Sequence, residues 1–123
     1  MAYSYDDQNI FAKILRGEIP NNTVLETEHS LAFHDINPQA PVHVLVIPKG
    51  AYVTFDHFAQ EASAEEIADY VRAVGTCCKD LGVAADGWRL ISNAGRDAVQ
   101  EVPHLHVHIL AGRPLGRMLA PAG

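Results

Sequence analysis

Apolar positions along this chain change their spacing several times, and each change marks an element. Ile10, Phe11, Ile14 and Leu15 recur at helical intervals between Asn9, whose side chain suits a helix N-cap, and Gly17, which suits a stop. This spacing predicts a short helix over residues 9–17. Pro20-Asn21-Asn22 then turns the chain into two predicted strands, 23–28 and 31–35, split by a polar turn at His29-Ser30. Asn37-Pro38-Gln39-Ala40-Pro41 is a rigid loop that delivers the chain into His43–Pro48, a nearly unbroken apolar run expected of a central strand. The stretch after Pro48 shows no clear period.

Ser63-Ala64-Glu65-Glu66 is a capping box, and Ile67, Tyr70, Val71, Val74, Cys78 and Leu81 hold one face of the helix it opens. Gly82 ends that helix. Trp88–Ser92 reads as a fourth strand, Asn93–Glu101 as a loop and Val102–Leu110 as a fifth strand. The expected architecture is α+β: about five strands in a mainly antiparallel sheet, with two helices on one side. The uncovered sheet face then needs a ligand or a second subunit.

The chain has 123 residues, enough for one domain and one core, so a single domain over 1–123 is expected. Its 48% hydrophobic content is too high for a disordered chain. A formal net charge of −6 argues against nucleic acid and anionic membranes as partners, since both require a basic face. No apolar run approaches the ~20 residues of a membrane span, and Met1–Asn9 is acidic and polar, unlike a signal peptide. Cys77 and Cys78 are adjacent, which suits helix packing better than a disulfide framework or a metal knuckle. A reducing cytoplasm is the expected setting.

The seven histidines are the unusual feature. His104-Leu105-His106-Val107-His108-Ile109 alternates with period two, so the imidazoles share one face and Leu105, Val107 and Ile109 the other. Two chemistries compete for this pattern. A metal site would need two of these histidines plus His43 or Asp35, because a straight strand spreads His104 and His108 about 13 Å apart. Alternatively the histidines divide labour along an anionic substrate: one attacks, one holds the attacker's tautomer and one donates to the charge. Distinct positions suit distinct roles.

His104-Leu-His106-Val-His108-Ile-Leu110 resembles the motif that names the histidine triad (HIT) superfamily. Ile10–Ile14, Glu18–Pro20, Ala32–Pro41, His43–Pro48 and Gln100–Val102 resemble its nucleotide-binding Hint branch, and Gly112–Leu119 is similar to bacterial members. The resemblance implies a homodimeric, metal-free purine nucleoside phosphoramidase that forms a nucleotidyl-histidine intermediate, with the sheet continued across the dimer. No cofactor is implied, and the partners are a purine nucleotide and a second copy. It implies His106 as nucleophile, His108 at the phosphate, His104 supporting the nucleophile and His43 as a further active-site histidine. Asn93 corresponds to a polar residue beside the phosphate, Asp35 to the acid that binds the ribose hydroxyls, and Phe11, Ile14, Ile19, Phe33, Ile36 and Leu45 to the purine pocket. Backbone N–H groups of Val99, Gln100, Glu101 and Val102 are expected around the phosphate. Residues 1–8 are expected as a flexible N-terminus and 112–123 as a tail near the site. His34 is expected to face away, and His29 and His57 to lie on the surface.

The chain departs from the family pattern in three respects. Glu101 stands where eukaryotic relatives carry serine, Val99 and Ala98 replace loop glycines, and Ala12 replaces a zinc-binding cysteine of some members. Val99 disfavours a positive φ, so a stiffer or shifted loop is expected. Related alternatives are a dinucleoside polyphosphate hydrolase and a nucleotide-binding module with little catalysis.

Overall fold

A computed structural model of the protein describes residues 3–119. Its elements are α1 (Ile10–Leu15), β1 (Thr23–Glu26), β2 (Ser30–His34), β3 (Val42–Pro48), α2 (Phe55–Glu61), α3 (Ala64–Leu81), β4 (Trp88–Ser92) and β5 (Val107–Ala111). The five strands form one antiparallel sheet in the order β1-β2-β3-β5-β4, which leaves β1 and β4 as edges. No helix among the described residues is long and apolar enough to cross a membrane.

Alternation along β3 divides the molecule. Val44 and Val46 face α3 in a core with Tyr70, Ala73, Cys77, Val107 and Ile109. Leu45 and Ile47 face the opposite way and pack with Leu31, Phe33, Phe11 and Ile14 of α1. Helices therefore cover both faces, and the expected one-sided arrangement is corrected: α1 is too short to span the second face but apolar enough to dock on it. The Asn9 cap accepts from the Ala12 N–H at 2.9 Å, and both hydrogen bonds of the Ser63–Glu66 capping box are present. Gly82 takes the left-handed conformation at φ 68°, which a residue with a Cβ resists. On α3 the buried positions are Tyr70, Ala73, Cys77 and Cys78, whereas Val71, expected on that face, is exposed.

Two helices were expected where three exist among the described residues. The additional one, α2, is only seven residues long, so its few apolar positions establish no period. Its cap is Thr54, which accepts from the His57 N–H at 3.3 Å. His57 is consequently buried, accepting the Val53 N–H at 2.9 Å, and its expected surface placement is corrected. The fifth strand also begins five residues later than expected, at Val107. Pro103 has no N–H to pair, and the Leu105 N–H donates to the Tyr52 carbonyl at 2.8 Å, so the lead-in leaves the ladder.

Candidate active site

Beside α1, which forms part of its wall, the second sheet face opens as a cleft of about 250 Å³. Phe11, Ile14, Ile19, Phe33, Leu45 and Val102 make its wall apolar, while Asp35, Glu101, His106 and His108 bring polar groups to it. Phe11 stands edge-on to His106 with ring centroids 4.9 Å apart. The His106 and His108 rings are themselves 5.2 Å apart.

Hydrogen-bond partners assign the proton on each ring. His106 Nδ1 lies 2.8 Å from the His104 backbone carbonyl, which can only accept. Nδ1 therefore carries the proton, and Nε2 is left as a bare lone pair. His43 Nδ1 accepts the Gln39 N–H at 3.0 Å, so its proton sits on Nε2. That N–H is directed at His108 Nδ1, 2.9 Å away, with Asp35 Oδ2 at 3.4 Å. His108 accepts at Nδ1 and so holds its own proton on Nε2, free to donate.

The electrostatics agree with neutral rings. Burial pushes His106 below the ordinary histidine pKa, opposed by the His104 carbonyl and by Asp35 and Glu101. Burial, reinforced by His106 and His43, pushes His108 down to about 4. His43 is also lowered by burial, with Asp35 pulling the other way. The site thus combines one uncharged nucleophilic nitrogen and one imidazole N–H donor beside an apolar wall.

The HIT domain family model matches residues 16–115. The chain belongs to the HIT family. It is 62% identical over 119 residues to an uncharacterized HIT-like protein of Azospirillum brasilense, covering 97% of this chain and 98% of that one. It is 41% identical over 117 residues to the purine nucleoside phosphoramidase of Escherichia coli, covering 95% and 98%. A HIT family hydrolase from Clostridium thermocellum superposes with a TM-score of 0.85 at 40% identity, covering 93% of this chain and 99% of that one.

Within this HIT fold all six residues expected of the purine pocket, Phe11, Ile14, Ile19, Phe33, Ile36 and Leu45, line the cleft, as does Asp35, expected at the ribose. Asp35 does two things, accepting the Asn37 N–H at 2.9 Å through Oδ1 while Oδ2 faces His43. His43 sits behind His108 and does not line the cleft. The His104 side chain is fully buried and also points away: Nε2 donates to the Pro48 carbonyl at 2.9 Å. Its support for His106 comes from its backbone carbonyl.

Asn93, Val99 and Gln100 do not line the cleft. The Val99 N–H is used by the Arg96 carbonyl and the Gln100 N–H by the Gly95 carbonyl, so the expected four-residue cradle shrinks to Glu101 and Val102. The Gln100 side chain ties the loop down, donating to the Val53 carbonyl at 2.7 Å. Val99 keeps φ at 56°, so the loop retains a left-handed turn despite the β-branched residue. His34, expected to face away, is exposed and borders the cleft with Ile10, Pro20, Asn21 and Asn22. Pro20, Asn21 and Asn22 are loop positions, which carry no periodic signal, and Ile10 is an exposed position of the α1 stripe.

Asp35, His43 and His108 each place one ligand atom within 4.8 Å of the others, a group with only one of the two triad histidines that the metal reading requires. An ion there would have to displace the His43–His108 hydrogen bond, and His43 Nδ1 is already engaged. The tail from Gly112 runs beside the site's outer loop, where Arg113 donates to the Gln39 carbonyl at 2.9 Å. Residues 120–123 of that tail lie outside the described residues.

Proposed function

We propose that this HIT protein hydrolyses the P–N bond of purine nucleoside 5′-phosphoramidates, such as adenylylated lysine, through a nucleotidylated His106. The observation that carries this reading is the pairing of His106 Nδ1 with the His104 carbonyl, which leaves Nε2 unprotonated at the cleft. The 41% identity to the Escherichia coli phosphoramidase supports the substrate class.

In this mechanism the purine lies against Phe11, Phe33 and Leu45, and Asp35 accepts from the ribose hydroxyls. His106 Nε2 attacks phosphorus while the His108 Nε2–H donates to a phosphoryl oxygen. The adduct carries positive charge on the imidazole, and the Nδ1–H···O=C bond to His104 strengthens as that charge develops. The leaving nitrogen takes a proton from solvent at the open end of the cleft, where Glu101 can relay it. Water then attacks phosphorus, releasing the nucleoside monophosphate and restoring His106.

A panel of adenosine and guanosine phosphoramidates, run with wild type and His106→Ala, tests the reading. Turnover by wild type and its loss in a variant that still binds AMP are expected. Undiminished turnover by His106→Ala would eliminate a His106 nucleophile. We further propose a homodimer, joined through the exposed edge strand β4, acting in the reducing cytoplasm that the two free, buried cysteines suit.

A further inference from the structure

The N-terminal arm reaches the chemistry from behind the cleft. Residues 3–8, expected as a flexible terminus, lie against the body at two anchors. Tyr3 stacks on His57 with centroids 4.1 Å apart and 9° between planes, and its hydroxyl donates to Asp56 Oδ2 at 2.6 Å. Nearer α1, Asn9 donates to the Asp6 carbonyl at 2.8 Å and Arg16 to the Asp7 carbonyl at 2.7 Å. Between these anchors Tyr5 turns inward, and its hydroxyl lies 2.6 Å from His104 Nδ1.

His104 has no solvent exposure. Its Nε2 faces the Pro48 carbonyl, so Nε2 carries the proton, and burial keeps the ring neutral by pushing its pKa down to about 4. Nδ1 is therefore a lone pair sealed from water, and the Tyr5 O–H is the donor that satisfies it. The ring is held at both nitrogens, by β3 on one side and by the arm on the other. The backbone carbonyl of the same residue accepts the Nδ1–H of His106. Neither Tyr5 nor His104 lines the cleft.

We propose that Tyr5 is a positioning residue: its hydroxyl locks His104, and the His104 carbonyl in turn aims the attacking nitrogen of His106. This rests on the reading of His106 as the nucleophile, and it makes the arm a working part of the site. Because Tyr5 stands outside the cleft, it acts on the chemical step and leaves substrate affinity alone. No spacing in the sequence connects residue 5 with residue 104.

Tyr5→Phe removes the hydroxyl and keeps the ring that stands edge-on to His104 at 5.5 Å. The expected result is a fall in kcat of about tenfold, the scale of one lost hydrogen bond, with KM and AMP affinity unchanged. The ¹⁵N signals of the His104 and His106 rings are expected to shift in the resting protein. Tyr3→Ala, which releases only the outer anchor, is expected to lower kcat less, again at constant KM, and serves if Tyr5→Phe does not fold. An unchanged kcat overturns the proposal, as does a fall matched by lost AMP binding, which marks a merely structural role. The ring signals need no substrate. If wild type itself fails to turn over phosphoramidates, the functional reading falls, while a His106 signal unmoved by Tyr5→Phe sinks the positioning role by itself.

Discussion

His43 Nε2 and His108 Nδ1 face each other at 2.9 Å across β3 and β5, and the Gln39 N–H on the far nitrogen of His43 gives that bond a direction. The proton order Gln39→His43→His108 leaves the His108 Nε2–H for the substrate. His43→Ala frees His108 Nδ1, so the ring can place its proton on either nitrogen and turn. A loss of kcat/KM of about tenfold or more is expected, the scale of one hydrogen bond in a dry site. His43→Gln, whose amide N–H can occupy the position of the lost ring N–H, is expected to recover part of it. Steady-state kinetics of both variants decide; equal loss in the two counts against the directional chain.

Val99 at φ 56° is held in a region that β-branched residues resist. Its side chain is 70% exposed, so little packing is lost on removing it. Relief of strain of about 1–2 kcal/mol, set against roughly 0.5–1 kcal/mol of added chain entropy from glycine, leaves a small net gain. Val99→Gly is expected to raise Tm by about 2–5 °C in thermal unfolding. A lowered Tm would show that the loop carries no strain at this residue.

Much of this arrangement is legible in the sequence, and the limits have physical causes. Period-two alternation places Leu105, Val107 and Ile109 in the α3 core and leaves their histidine neighbours on the other face, as expected. The same alternation cannot tell a paired strand from its extended lead-in, so it misses that His104 and His106 precede β5. Nor does it show that the His104 ring turns from the cleft, because that depends on a carbonyl at Pro48 and a hydroxyl at Tyr5. Helix α2 is hidden for a different reason: its register is set by the Thr54 cap and by His57, polar residues whose burial no hydrophobic pattern reveals.

Acid is expected to destabilise the fold before carboxylate titration begins. His104 and His108 both fall to about 4, below the ordinary value of 6.5 that they have in the unfolded chain. Between those values the unfolded state binds more protons than the native state, so stability rises with pH. The contribution is complete above pH 6.5 and is lost as pH falls toward 4. Denaturant unfolding at stepped pH should show this slope, and His104→Gln should flatten it. Stability independent of pH from 6.5 to 4 would mean that these rings protonate freely in the native state. For the proposed chemistry the same burial moves the loss of the His106 nucleophile to below the usual histidine range.

The two sheet edges differ in how they are protected. At β1 the register shifts between Thr23 and Leu25, and Glu26 pairs with Lys49 at 2.8 Å, devices that discourage another strand from adding. β4 is unshifted against β5 and leaves Trp88 and Leu90 at 38% and 47% exposure. Its one charged residue, Arg89, is drawn to the Gly116 carbonyl at 2.8 Å and does not guard the edge. An unguarded apolar edge is a template for a second copy, and antiparallel pairing of two β4 strands would join the sheets. Sedimentation is expected to show twice the 13.4 kDa chain mass for wild type. Leu90→Arg places charge at that seam and is expected to yield monomer with a lower Tm at equal concentration, since dimerisation stabilises by mass action. A wild-type monomer at micromolar concentration, or a Leu90→Arg dimer as tight as wild type, would move the interface away from β4.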